Sequence, residues 1–289
     1  MRAFAVAALA LVAAAPAPAA VKLHGNNFFS NCRFSHIAAD DPIALPGHPG
    51  RSHSHAFFGN VSTSAYSTLA SLERAGTTCR PSSDRAAYWV PTLYVGGRAI
   101  RPAKAQVYYT LRGFSTMRAF PPGLRVIAGD AHALRPQSTD VVYWACGGHA
   151  LRTRPSTVAP AKCPVLHAFL VARLQGRTKP VRLPVQSKTF LELHVNFPDC
   201  WDGKHLDSLD HQSHMAYSRN YVCPASHPVK IPLIRLMIRY PLRSGSGVVL
   251  SSGGQLTGHA DFFNAWDERA LARLVADCFH DRPCNEPKR

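Results

Sequence analysis

Three short stretches of this 289-residue chain carry residue types able to move protons or hold a metal ion. In PGHPGRSHSHAFFGN (46–60), His53 and His55 stand two apart, so on a strand both point to one face. That spacing suits a pair of metal ligands, or a base with its partner. In DCWDGKHLDSLDHQSHMAY (199–217), four aspartates, three histidines and a lysine crowd together with few apolar residues between them. If DSLDHQSH is helical, Asp207, His211 and His214 share a face; if it is extended, His205 pairs with Asp207. The CWDGK start predicts a turn at Trp201–Gly203, where an aspartate such as Asp202 is more often a cap than a catalyst. In GHADFFNAWD (258–267), His259 and Asp261 sit at strand spacing, and a carboxylate beside an imidazole orients it and tunes its pKa.

Two chemistries compete for these groups. Proton transfer would use Asp202 and Asp261 as acid, base or nucleophile, with His55 and His214 as proton-transfer partners. Glycoside hydrolysis needs such an acid and a second group across the bond, whereas a lyase needs a base, a donor and a cation to neutralise a uronate. Tyr88, Trp89 and Tyr94 of YWVPTLY, with Trp201 and Lys204, are the candidate substrate-binding residues. Ligation instead would draw on His53, His55, His211, His214 and His259, with a carboxylate, to hold zinc or copper. The expected cofactor is therefore either none or a divalent zinc or copper ion. A copper brace built on a terminal histidine is disfavoured, because the expected mature chain starts near Val21 and His24 is internal; HExxH is absent. A third class is non-catalytic: a wall- or glycan-binding module whose polar loops simply bond one another.

The elements that must position these residues are short. Twenty-three prolines and nineteen glycines break the chain, and between them run segments rich in β-branched and aromatic residues: 86–95, 105–111, 124–129, 140–146, 190–197, 231–240 and 247–252. Alternation such as Leu191-x-Leu193-x-Val195-x-Phe197 predicts half-buried strands. A short helix is expected within 62–76, capped by Ser62 or Ser64, and a longer one over 264–279, with Trp266, Leu271, Leu274 and Val275 at helical spacing. The basic stretch 147–185 reads as loops or an insertion. Many short strands and one terminal helix predict a mainly β fold, a β-sandwich or jelly-roll-like single domain over 21–289, with a β-rich α+β fold as the alternative.

The first twenty residues, MRAFAVAALALVAAAPAPAA, read as a signal peptide, too short in its apolar run to span a bilayer. A secreted, extracellular protein without membrane insertion is expected. The eight cysteines then read as disulfides, with sequence neighbours paired: Cys32–Cys79, Cys146–Cys163, Cys200–Cys223 and Cys278–Cys284. No CxxC supports a zinc–thiolate alternative. A formal charge of +16 suits an anionic polysaccharide partner as well as a merely solvated basic surface. The basic residues are dispersed and form no nucleic-acid motif. A monomer is expected.

Several long stretches carry a family resemblance. DDPIALPGHPGRSHSHAFFGN, TTCRPSSDRAAYWVPTLY, FPPGLRVIAGD, FPDCWDGKHLDSLDHQSHMAY, CPASHPVKIPLIRLMIRY and GGQLTGHADFFNAWD, in this order over residues 29–279, resemble the motifs of the DUF1996 family. These are secreted fungal and actinobacterial proteins, some with WSC carbohydrate-binding modules. The resemblance implies a cell-wall or polysaccharide setting and groups the motifs in one fold; it names no reaction. The departures expected from the family pattern are the absence of an appended binding module and the basic 147–185 segment. The resulting expectation is a secreted carbohydrate-active enzyme, a glycoside hydrolase or polysaccharide lyase, acting on an extracellular or cell-wall polysaccharide through Asp/His proton transfer. A His-rich metal protein and a glycan-binding module are the alternatives.

Overall fold

A computed structural model describes residues 25–112, 117–148, 151–172 and 181–279. The expected leader, residues 1–20, lies outside the described residues. The apolar alternation places one side of each strand inward, and two antiparallel sheets share what results. The larger has six strands, in the spatial order Val142–Gly147, Phe190–Asn196, Leu233–Arg239, Lys104–Arg112, Gly25–Cys32 and Cys79–Arg80. The other has five, in the order Phe34–Ala38, His55–Gly59, Ala87–Pro91, His259–Phe263 and Arg125–Gly129. Leu191, Leu193, Val195, Leu236, Ile238 and Val107 of the first sheet meet Phe58, Tyr88, Val90, Val126, Ala260 and Phe262 of the second in one buried core. The mainly β sandwich is as expected.

The five-stranded sheet is covered on both sides. Its second face packs Phe57, Ala87, Trp89 and Phe263 against Ile43 and Leu72, contributed by the 40–52 loop and a short helix. This double covering explains why HAFFG, AYWVP and HADFF are buried at every position. It also means that any polar side chain on that second face is withdrawn from water.

The short helix is Leu69–Arg74 and its cap is Thr68, whose hydroxyl accepts the Ser71 amide in a capping box. Ser62 and Ser64, the expected caps, are spent in the preceding turn: the Ser62 hydroxyl donates to Asn60 and the Ser64 hydroxyl accepts the Tyr66 amide. The terminal helix is Glu268–Phe279, not 264–279; Asn264 still bonds to Leu124 by its amide, and Asp267 accepts the Ala270 amide at the helix start. The 147–185 stretch is not all loop. Val165–Ala172 and Val181–Lys188 form a two-stranded hairpin, in which Pro184 is tolerated because a two-stranded ribbon leaves edge amides unneeded.

Cys32–Cys79, Cys146–Cys163 and Cys200–Cys223 are bridged as expected. Cys278 is also disulfide-bonded; its expected partner, Cys284, lies outside the described residues. Three such bonds fit an oxidising or extracellular environment. No described helix is long and apolar enough to cross a membrane.

Candidate metal centre

The second face of the five-stranded sheet gathers polar groups at one end. His55 opens its strand, and His259 and Asp261 lie on the strand two positions across, with Trp89 directly opposite Asp261 on the strand between. His53 precedes the His55 strand by two residues and folds back over it. The rings of His53 and His55 are 4.2 Å apart between centroids, and those of His53 and His259 are 4.9 Å apart. One ring nitrogen from each of the three lies within 4.8 Å of the others.

Backbone carbonyls set the tautomers. The Nδ1–H of His259 donates to the Thr257 carbonyl at 2.8 Å, and the Nδ1–H of His55 donates to the Asp40 carbonyl at 2.9 Å. A neutral imidazole that donates from Nδ1 has its lone pair on Nε2. The Nε2 of His55 is buried and has no partner among the described residues. The Nε2 of His259 lies 3.1 Å from the Nε2 of His53, close to the ~3.3 Å that separates two nitrogens in tetrahedral coordination at a zinc–nitrogen distance near 2.0 Å. Burial, with the neighbouring imidazoles, pushes the His55 pKa well down, and burial above all takes His259 to about 4. Burial also lowers His53. All three are therefore neutral near pH 7, the form that ligates metals.

The 40–52 loop that holds His55 is built on Asp40, whose carboxylate accepts the amides of Gly50 and Ala65. Gly129 does the same service for His259. It pairs with His259 across the sheet at φ +84°, and a Cβ there would sit 2.6 Å from the Gly258 carbonyl oxygen, so no other residue fits without moving the His259 strand.

Beside the imidazoles lies a carboxyl pair. Asp41, His55 and Asp261 bring one ligand atom each within 4.8 Å. Asp261 is fully enclosed, and burial followed by the Asp41 charge pushes its pKa well up; its Oδ2 is unpartnered among the described residues. Asp41 accepts the Ile43 and Ala44 amides and is raised by burial, against the pull of those bonds and of His211. Asp41 was missed by sequence reading, although the DD that opens its motif was the available signal.

The 199–217 stretch is neither helix nor strand at its centre but a series of turns. Asp202 accepts the Lys204 and His205 amides and pairs with His205 Nδ1 at 2.6 Å. Burial alone would raise it, but these bonds hold it at about 2, so it is a turn brace and no proton donor. His214 is buried with both ring nitrogens engaged, one on the Ser208 hydroxyl and the other donating to the Arg125 carbonyl at 2.7 Å. It pins the loop to the edge strand and is unavailable as a ligand or base. His211 bonds to Asp207 at 2.9 Å and also stays outside the imidazole cluster. These residues instead wall a cleft of about 740 Å³, lined by His205, Leu209, His211 and their neighbours. His211, on the wall of this cleft, also exerts a weak electrostatic pull on the Asp41 carboxyl.

The aromatic candidates divide similarly. Tyr88 and Trp89 have no exposed surface, so neither offers a face to a sugar; Tyr88 bonds to Asp84 in the core and Trp89 packs on Phe57. Tyr94 is half-exposed in a separate three-stranded sheet. Trp201 donates to the His205 carbonyl and braces the same turn as Asp202, from which Lys204 projects into solvent. Replacing His214 by alanine should thus lower stability by about 2–4 kcal/mol, through two lost hydrogen bonds and a buried cavity. Chemical denaturation with unchanged metal content would verify it.

A disulfide-linked β-sandwich with a three-histidine cluster on one sheet and a cleft lined by an Asp/His-rich loop is the class this fold and site define. The chain belongs to the DUF1996 family, described as a domain of unknown function, whose model matches residues 41–266. No curated protein and no solved structure matches it.

Proposed function

We propose that this chain is an exported metal-dependent enzyme acting on an extracellular polysaccharide, with a zinc or copper ion held by the Nε2 atoms of His53, His55 and His259. The observation that carries this reading is the pair of Nδ1–H bonds to the Thr257 and Asp40 carbonyls, which aim two unprotonated Nε2 atoms at the His53 ring. Carbonyl-oriented imidazoles of this kind are the usual support of metal ligands. Three nitrogens leave a coordination position open, as catalytic rather than structural sites do. Bound there, zinc supplies Lewis acidity for hydrolysis, and copper supplies redox chemistry. The chain's part is to hold the ligands neutral, to keep the Asp41–Asp261 pair beside them, and to offer the 202–214 cleft to a chain of sugars.

The test is metal content by elemental analysis of mature protein purified without chelators, followed by product release from a panel of polysaccharides. About one zinc or copper per chain is expected, lost in His53→Ala/His55→Ala and kept in His211→Ala. A metal-free wild type would overturn the metal centre, and a metal-loaded chain inert on every polysaccharide would overturn the enzyme.

A further inference from the structure

The six-stranded sheet has a second face, turned away from the shared core, and its register can be read residue by residue. Outward positions carry Glu192, His194 and Asn196 on one strand, Arg239, Met237 and Arg235 on the next, and Lys104, Gln106 and Tyr108 on the third. Phe29 follows on the strand beyond, 37% exposed, its ring 6.1 Å from that of Tyr108. Arg152 reaches in from the side, donating to Glu192. Among the described outward strand positions the one carboxylate is Glu192, which lies at the floor with no exposed surface and is already shared by Arg152, Arg239 and His194, while Asp140 stands at the rim, where its carbonyl accepts from Asn196.

Charge and shape then converge. Four cations, Lys104, Arg152, Arg235 and Arg239, stand against one buried carboxylate. Lys104 makes no ion pair among the described residues, and Arg235 spends one N–H on the Asn196 side chain. Both are half-exposed, as is Tyr108. Guanidinium forks match carboxylates in geometry, and neighbouring aromatic rings offer flat apolar faces of the size of a sugar ring. A polyol phosphate would use the cations but not the rings, whereas a polyuronate uses both.

We infer that the outward face of the six-stranded sheet is a docking surface for an acidic, uronate-bearing polysaccharide, engaged by Lys104, Arg235, Arg239 and Arg152 with Tyr108 and Phe29 as its ring platform. This surface lies on the other sheet from the metal centre, so it stands independently of the metal reading. It holds the polymer; it performs no step on it.

The experiment is titration calorimetry of the full mature chain with polygalacturonate, before and after dialysis against a chelator. Binding should persist without metal and weaken with salt, as screened ion pairing requires. Lys104→Gln/Arg235→Gln should lower affinity about ten-fold or more, from two lost charge-assisted contacts, and Tyr108→Ala several-fold. Arg269→Gln/Arg273→Gln, which removes the same charge from the terminal helix, should change nothing. Equal losses in both double variants would reduce the effect to net charge and overturn the assignment. So would polyphosphate binding as tightly as polygalacturonate, or no polygalacturonate binding at all. Loss of binding only after chelation would move the polymer to the metal centre and equally overturn it.

Discussion

Replacing His259 by alanine should yield a folded chain that retains almost no zinc or copper after dialysis and, under the proposed function, releases no product from polysaccharide. The reasoning is geometric. His259 is the one ligand contributed by the C-terminal third, and its Nε2 sits 3.1 Å from that of His53; without it two nitrogens remain from the 53–55 segment alone. An ion present at about a thousand times its dissociation constant stabilises the native state by about 4 kcal/mol, so the variant should melt roughly 10 °C lower than the loaded wild type. Chelator should lower the wild-type midpoint and leave the variant where it is, the variant staying somewhat below the metal-free wild type because a buried, hydrogen-bonded side chain is also lost. His211→Ala, outside the cluster, should behave as wild type in metal content. If calorimetry finds the wild-type midpoint indifferent to chelator, the three imidazoles are a packing feature and nothing more.

The second large effect lies in the other sheet. Glu192→Ala should destabilise the chain by about 3–5 kcal/mol, because the fully enclosed carboxylate's bonds to His194, Arg152 and Arg239 are lost and the mostly enclosed Arg239 charge loses its counter-ion, the more exposed Arg152 contributing least. The space around the carboxylate is tightly drawn: a Cβ on Gly147, one strand away, would stand 2.2 Å from a Glu192 oxygen. Burial pushes the Glu192 carboxyl up, but the His194 hydrogen bond and the neighbouring positive charges bring it down to about 2. A carboxyl lowered in this way contributes stability that is present above its unfolded value, near 4.5, and is lost as pH falls toward 2. His194, held mainly by burial at about 4, loses its contribution earlier, between about pH 6.5 and 4. The stability gap between wild type and Glu192→Gln should therefore narrow below pH 4.5. Denaturant midpoints measured from pH 7 to pH 3 would show it, and a constant gap would mean the ion pairs contribute nothing net.

The strands were legible because proline and glycine mark their ends and because Leu191-x-Leu193-x-Val195 and its counterparts face a common core. The Val165–Ala172 and Val181–Lys188 hairpin was obscured by its basic residues and by Pro184, features that an edge ribbon accepts. His53 and His55 were recognisable from two-residue spacing. Their meeting with His259 was only a guess, since spacing carries no information about which strands become neighbours in a sheet. Asp202 and His214 were over-read for a simple reason. Catalysis and loop bracing use the same side chains, and what separates them is whether the nitrogens and oxygens are already bonded. His214 has both nitrogens taken and His55 has one free, a difference that exists only in three dimensions.

The contact between His53 and His259 has a mechanical consequence for the chain as a whole. The two residues are 206 positions apart, while the bridged cysteines are separated by 47, 17 and 23. Loop-closure entropy grows with the logarithm of loop length, so a shared ion here would be the longest-range crosslink among them. Its lability would also differ in kind. Acid or a chelator would open it while thiols left it closed, and the covalent bridges would answer to the reverse conditions. The molecule would then carry two independent sets of fastenings, one sensitive to redox potential and one to pH and metal supply, with the three-histidine cluster belonging to the second.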